Sequence, residues 1–161
     1  MKNHNFPIGK GKYWKDTGET ENKLLEYLSG PQFDNLSVNI QFVGEGNNDG
    51  WMFDGWIISF QRDRKEKISF DYRTGIGLRV KNKFGQKCAT MPHIAMIMQS
   101  LLLDSQADEM SFNNWCSDYG YDNDSIRALK VYQTCCETAK KLYSVFNGQQ
   151  IAEMRKVLQD Y

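Results

Sequence analysis

The sequence predicts an α+β fold, a three-stranded antiparallel meander packed with a C-terminal group of about four helices. Two observations carry this. Apolar residues alternate in three separate runs between residues 37 and 73, and from residue 91 to 159 they recur near helical spacing. The connections between the three alternating runs are short, which suits hairpins. A chain of 161 residues with 40% hydrophobic and 13% aromatic content is long enough for one domain with its own core.

Residues 1–18 are polar, basic and glycine-containing, and read as a loose N-terminal arm docked through Phe6, Tyr13 and Trp14. A short helix is expected from Thr20 to Leu28. Thr20 can cap it, Leu24, Leu25 and Leu28 form its apolar face, and Gly30-Pro31 stops it. Val38, Ile40 and Phe42 then alternate with polar residues, as do Trp56, Ile58 and Phe60, and again Ile68, Phe70 and Tyr72. Gly44 to Gly50 reads as the first turn and Arg62 to Lys67 as the second. Residues 73–90 read as a glycine-rich, basic connection.

In the helical part, Thr90 and Pro92 suit a cap and first turn. Ile94 to Leu103 is apolar nearly all round, which predicts a buried helix. Ser111 caps a short helix through Trp115 and Cys116 that Gly120 ends. Asp122 or Asp124 can cap a long helix with Ile126, Leu129, Tyr132, Cys136, Ala139, Tyr143 and Phe146 near helical spacing. Asn147-Gly148 ends it, and a last helix carries Ile151, Met154 and Leu158.

No apolar run reaches the roughly 20 residues of a membrane helix, and the N-terminus lacks the apolar stretch of a signal peptide. Cys88, Cys116, Cys135 and Cys136 show no CxxC spacing. The expectation is a reduced cytoplasmic protein, in the host cytoplasm if phage-encoded, with no membrane partner. Net charge is zero, which disfavours bulk electrostatic binding to nucleic acid. The charges are nonetheless segregated. Residues 62–87 hold nine Lys or Arg against three acids, and residues 104–125 hold six acids and no Lys or Arg. Such segregation either orients the molecule on a charged partner or is neutralised within the fold.

No catalytic motif is complete. Thr74-Gly75-Ile76-Gly77 lacks the Lys-Ser/Thr of a phosphate loop and the third glycine of a dinucleotide fingerprint. Its glycines instead let the chain leave the third strand. Asp118, Asp122 and Asp124 around Gly120 lack the spacing of a calcium loop, and helix capping accounts for Asp122 and Asp124. Only His4 and His93 are present, so neither a zinc pattern nor a Ser-His-Asp arrangement can be assembled, and no carboxylate pair is marked out. No metal and no cofactor are expected. The aromatic content is the best hint. Trp14, Trp51, Trp56 and Trp115 exceed what a small core requires, and Tyr119 and Tyr121 flank Gly120 in a turn. Trp115 reads as structural. The tyrosines either close the core or, with Asp118, contact a partner. In the basic segment Arg73, Arg79, Lys81 and Lys83 are partner-binding candidates, because exposed arginines grip carboxylates and phosphates through planar forks.

The stretch Ser111-Phe112-Asn113-Asn114-Trp115-Cys116-Ser117-Asp118-Tyr119-Gly120-Tyr121-Asp122-Asn123-Asp124-Ser125 resembles a pattern found in small phage and prophage proteins of unknown function. Asn114 stands where that pattern usually has Glu or Asp. Phe70 to Gly77 resembles the same proteins' aromatic strand and glycine turn, with Arg79 displaced by one position, and Leu101 to Ser105 resembles their Ser-Leu-Leu-x-Asp-Ala segment. The likeness covers residues 56 to about 147. It implies a phage or mobile-element origin and no established activity. Small phage proteins without catalytic motifs often disable host defences, CRISPR effectors among them, by covering a functional surface. On that basis the expected function is stoichiometric inhibition of a host-defence nucleoprotein or nuclease, an anti-CRISPR role. The alternatives are a nucleic-acid-binding accessory protein for phage replication, with Phe70, Tyr72 and Phe84 as a stacking strip, and a small enzyme with an unrecognised site.

Overall fold

The computed structural model describes residues 3–7, 19–48, 50–76, 79–81, 83–89 and 91–159, with backbone alone at 3–7, 19–22, 79, 80 and 159. The protein is α+β. Residues 1–94 and 95–161 form two compact units.

The first unit is built on a four-stranded antiparallel sheet ordered β1 (Asn3–Pro7), β2 (Leu36–Asn48), β3 (Trp51–Arg62), β4 (Ile68–Gly75). The three expected strands are there, in meander order. Val38 pairs with Phe60, Ile40 with Ile58, and Ile58 in turn with Phe70. Because side chains alternate across a strand, these residues share one face with Trp56, and all are buried. The opposite face is polar, with the hydroxyls of Ser59 and Ser69 2.8 Å apart across β3 and β4. Helix α1 (Glu19–Leu28) supplies buried Leu24, Leu25 and Leu28, and the 3-10 turn Pro31–Phe33 adds buried Phe33.

Several boundaries differ from the sequence reading. The arm was expected to be loose, yet residues 3–7 add a fourth strand, with Phe6 opposite Val38; Tyr13 and Trp14 lie outside the described residues. Helix α1 starts at Glu19, so Thr20 is inside it and does not precede it. Gly44 to Gly50 is not all turn. The β2–β3 ladder continues to Asn48 opposite Trp51, because backbone pairing needs no apolar alternation. Between Phe42 and Gly44 the register shifts: Phe42 pairs with Trp56 and Gly44 with Gly55, leaving Val43 as a bulge. The second turn is pinned by polar groups. Asn35 donates to the Asp63 carboxylate at 3.0 Å, Arg62 donates to the Asn35 side-chain oxygen at 3.1 Å, and Asp63 takes a positive φ of 54°. The glycine-rich connection also holds structure, a small hairpin of β5 (Arg79–Lys81) and β6 (Lys87–Ala89).

The second unit is helical: α2 (Ile94–Ser105), α3 (Phe112–Tyr119), α4 (Ile126–Val145) and α5 (Gly148–Gln159), with a 3-10 turn at Gln106–Glu109. Helix α2 begins at Ile94, so Pro92 precedes it; Thr90 lies outside the described residues. It is not buried all round. Ile97, Met98, Leu101 and Leu102 are inside, but Met96 and Leu103 are about half exposed. Asn147 does more than end α4. Its side-chain oxygen accepts from the Gln150 amide at 2.8 Å while Gln150 accepts from the Asn147 amide at 3.0 Å, a reciprocal capping box that starts α5. Arg155 of α5 ties the unit together. It donates to the Ser105 hydroxyl at 2.8 Å and to Glu109 at 2.7 Å. No helix among the described residues is long and apolar enough to cross a membrane.

Candidate functional site

The site starts from a helix too short to stand alone. Helix α3 has eight residues, below the length at which isolated helices hold, so its ends and one ring must fix it. The Ser111 hydroxyl accepts from the Asn114 amide at 3.2 Å at one end. At the other, Gly120 adopts φ 74°, ψ 24°, the left-handed conformation in which glycine lacks a side-chain penalty. The reversal turns the Tyr121 amide back onto the Cys116 carbonyl at 2.9 Å. The next helix is capped by Ser125, whose hydroxyl accepts from the Ala128 amide at 3.2 Å. Asp122 and Asp124, expected as caps, are not the cap residue. Ser125 is the residue directly before the helix and has the extended φ/ψ a cap requires, while Asp122 contributes only its carbonyl, to the Ser125 amide.

Trp115 is what this turn encloses. It is 4% exposed and clusters with Ala107, Cys116 and Ala128. Four rings surround it. Tyr121 stacks at 4.9 Å and 14°, Phe112 at 6.4 Å and 19°, Tyr119 is tilted at 5.5 Å, and Tyr132 meets it edge-on at 5.5 Å. Tyr132 is itself fixed, its hydroxyl donating to the Met110 carbonyl at 2.6 Å. Trp115 is therefore structural, as its sequence context suggests. Each of the two tyrosines packs on Trp115 and still stays exposed, Tyr119 by 48% and Tyr121 by 40%. They form an aromatic ledge on a rigid base.

Carboxylates rim this ledge in sequence. Asp118, Asp122 and Asp124 are all exposed. Burial pushes the Cys116 thiol up, and the Asp122 charge adds to that. Exposed rings and exposed carboxylates are both groups that arginine and lysine side chains can engage. Among the described residues no group of three His, Cys, Asp or Glu side chains is placed to hold a metal ion.

The basic candidates belong to residues 1–94, Arg73 in the four-stranded sheet and the others in the two-stranded one or its turn. Arg73 is exposed as expected; it lies within β4, and its guanidinium sits 4.3 Å over the Phe53 ring. The Phe53 ring covers Gly46 so closely that a Cβ there would come within 2.3 Å of it. The Arg79 side chain lies outside the described residues. Lys81 and Lys83 are exposed on the β5–β6 hairpin, with the Lys83 ammonium 5.1 Å over Phe84. The stacking strip of Phe70, Tyr72 and Phe84 does not form. Phe70 is buried, Tyr72 is half-buried with its phenol pushed up by burial, and only Phe84 is open. The sequence reading missed one feature, the exposed apolar tip of the β2–β3 hairpin, where Trp51 is 79% exposed and is followed by Met52, 47% exposed. A tryptophan immediately after an Asn-Asn-Asp-Gly turn was the available signal. No family model, curated protein or solved structure matches the chain.

Proposed function

We propose that the protein works by stoichiometric binding, with the Tyr119–Tyr121 ledge as its contact and a positively charged protein surface as its partner. The observation that supports this reading is two exposed tyrosines packed on one buried tryptophan. Rings already fixed in place lose little freedom on docking, so their contact area converts more fully into affinity. The three neighbouring aspartates favour a basic partner and speed its approach. Surfaces that bind nucleic acid are basic in this way. The likeness of residues 111–125 to small phage proteins then favours a host-defence nuclease or CRISPR nucleoprotein as the target, inhibited by occupation of its nucleic-acid groove.

The test is to mix the protein with CRISPR effector complexes of several types and measure co-elution and target cleavage. One type is expected to bind and lose cleavage at a stoichiometric ratio. Replacing Tyr119 and Tyr121 together by Ala should weaken that binding by tenfold or more, as loss of a central aromatic anchor does. Reversing Asp118 to Lys should slow association and flatten its salt dependence. No binding to any type would defeat the host-defence reading, and binding unchanged by the tyrosine pair would defeat the ledge.

A further inference from the structure

The β5–β6 hairpin carries chemistry of the opposite sign. From Tyr72 to Leu103 the chain contains no Asp or Glu, and its five Lys or Arg residues are Arg73, Arg79, Lys81, Lys83 and Lys87. Lys81 and Lys87 are directly paired across the two strands, and both are exposed. Paired like charges with no intervening acid are unfavourable unless an anion joins them. The turn joining the strands presents Phe84, 75% exposed, followed by Gly85 at a φ of 78°. An aromatic ring held at the tip of a turn, with cations on either side, has no role in a core.

We infer that this hairpin binds single-stranded nucleic acid, with a base stacked on Phe84 and the backbone phosphates held by Lys81, Lys83 and Lys87. Every base has a face that can stack on an aromatic ring, and lysine ammonium groups neutralise phosphates without reading sequence. Lys83 lies 5.1 Å over the Phe84 ring, so cation and ring are both within reach of a single nucleotide. An acidic protein would use the lysines but not the ring. A membrane surface would call for more than one apolar residue at the tip, and Lys83, Gly85 and Gln86 flank Phe84. The inference is independent of the tyrosine ledge.

The experiment uses the whole chain and a labelled oligothymidylate, followed by fluorescence anisotropy at low salt. Binding is expected, weakening with salt at a log–log slope of about −2 for three lysines at roughly 0.7 each on a single strand. Phe84→Ala should weaken it roughly tenfold and Phe84→Trp should restore it, a pattern that charge alone cannot give. Lys81→Gln, Lys83→Gln and Lys87→Gln combined should abolish the salt dependence. The Tyr119 and Tyr121 double variant should bind the oligonucleotide normally, so failure of either proposal is visible separately. Absence of binding at low salt, or indifference to Phe84→Ala, would overturn the inference. So would equal competition by polyglutamate, or binding confined to anionic vesicles.

Discussion

Replacing Trp115 by Ala removes the centre of the helical unit. The side chain is 4% exposed and touches four rings. Emptying a large aromatic site in a core costs about 3–5 kcal/mol. Aromatic pairing adds about 0.5–1.5 kcal/mol for a well-placed pair beyond its buried area, so the upper half of the range is expected. At a urea slope of about 2 kcal/mol per molar, the midpoint should fall by roughly 2 M. Far-UV circular dichroism follows the helices. Fluorescence reports separately, because Trp115 is the one tryptophan in residues 95–161 and the variant retains only Trp14, Trp51 and Trp56. The helical signal should move by the full amount. A midpoint within about 0.3 M of the parent would refute the reasoning, since it would mean the ring contributes almost nothing to stability.

Ser125→Ala should cost about 1 kcal/mol through the lost cap, whereas Asp122→Ala with Asp124→Ala should change stability by less than about 0.5 kcal/mol, both read from chemical denaturation. Calcium should leave the melting temperature unchanged. Burial first, then the charges at Asp104 and Cys136, push the Cys135 thiol from 9.0 up to about 11. Because the thiolate is the reactive form, alkylation of Cys135 near pH 8 should run about a hundredfold slower than for an ordinary thiol and climb with pH, as peptide mass mapping would show. The same shift has a stability consequence. The native state holds this proton more tightly than the unfolded chain, so that contribution is complete below pH 9 and is lost as pH rises toward about 11.

The sheet was legible because its strands bury one face. Val38, Ile40, Trp56, Ile58, Phe60 and Phe70 alternate in sequence and are all inside. Strand β1 was not legible: a five-residue segment containing Pro7 has no alternation, and its pairing to β2 is a backbone event. The three-residue strands of the β5–β6 hairpin are too short to display any period. The stacking-strip expectation conflicted with its own premise, since the alternation that marks Phe70 as strand also turns it inward. At the ledge, Ser111, Gly120 and Trp115 could be identified because caps and left-handed glycines are local. That Tyr119 and Tyr121 both lie against Trp115 depends on the fold of the turn, which composition does not encode. The aspartates were misassigned because any of the four consecutive polar residues Asp122 to Ser125 can cap a helix, and the backbone selects the one nearest its first turn.

The bulge at Val43 bears on how this sequence can change over time. Losing one codon from the middle of a strand normally reverses every side chain beyond it, because alternation has a period of two. Val43 is the exception in β2. Its neighbours Phe42 and Gly44 already face consecutive residues, Trp56 and Gly55, so removing it would leave every other pair as it is. A deletion at that one position would thus carry the outer segment, from Gly44 opposite Gly55 to Asn48 opposite Trp51, inward by one residue with its pairing intact.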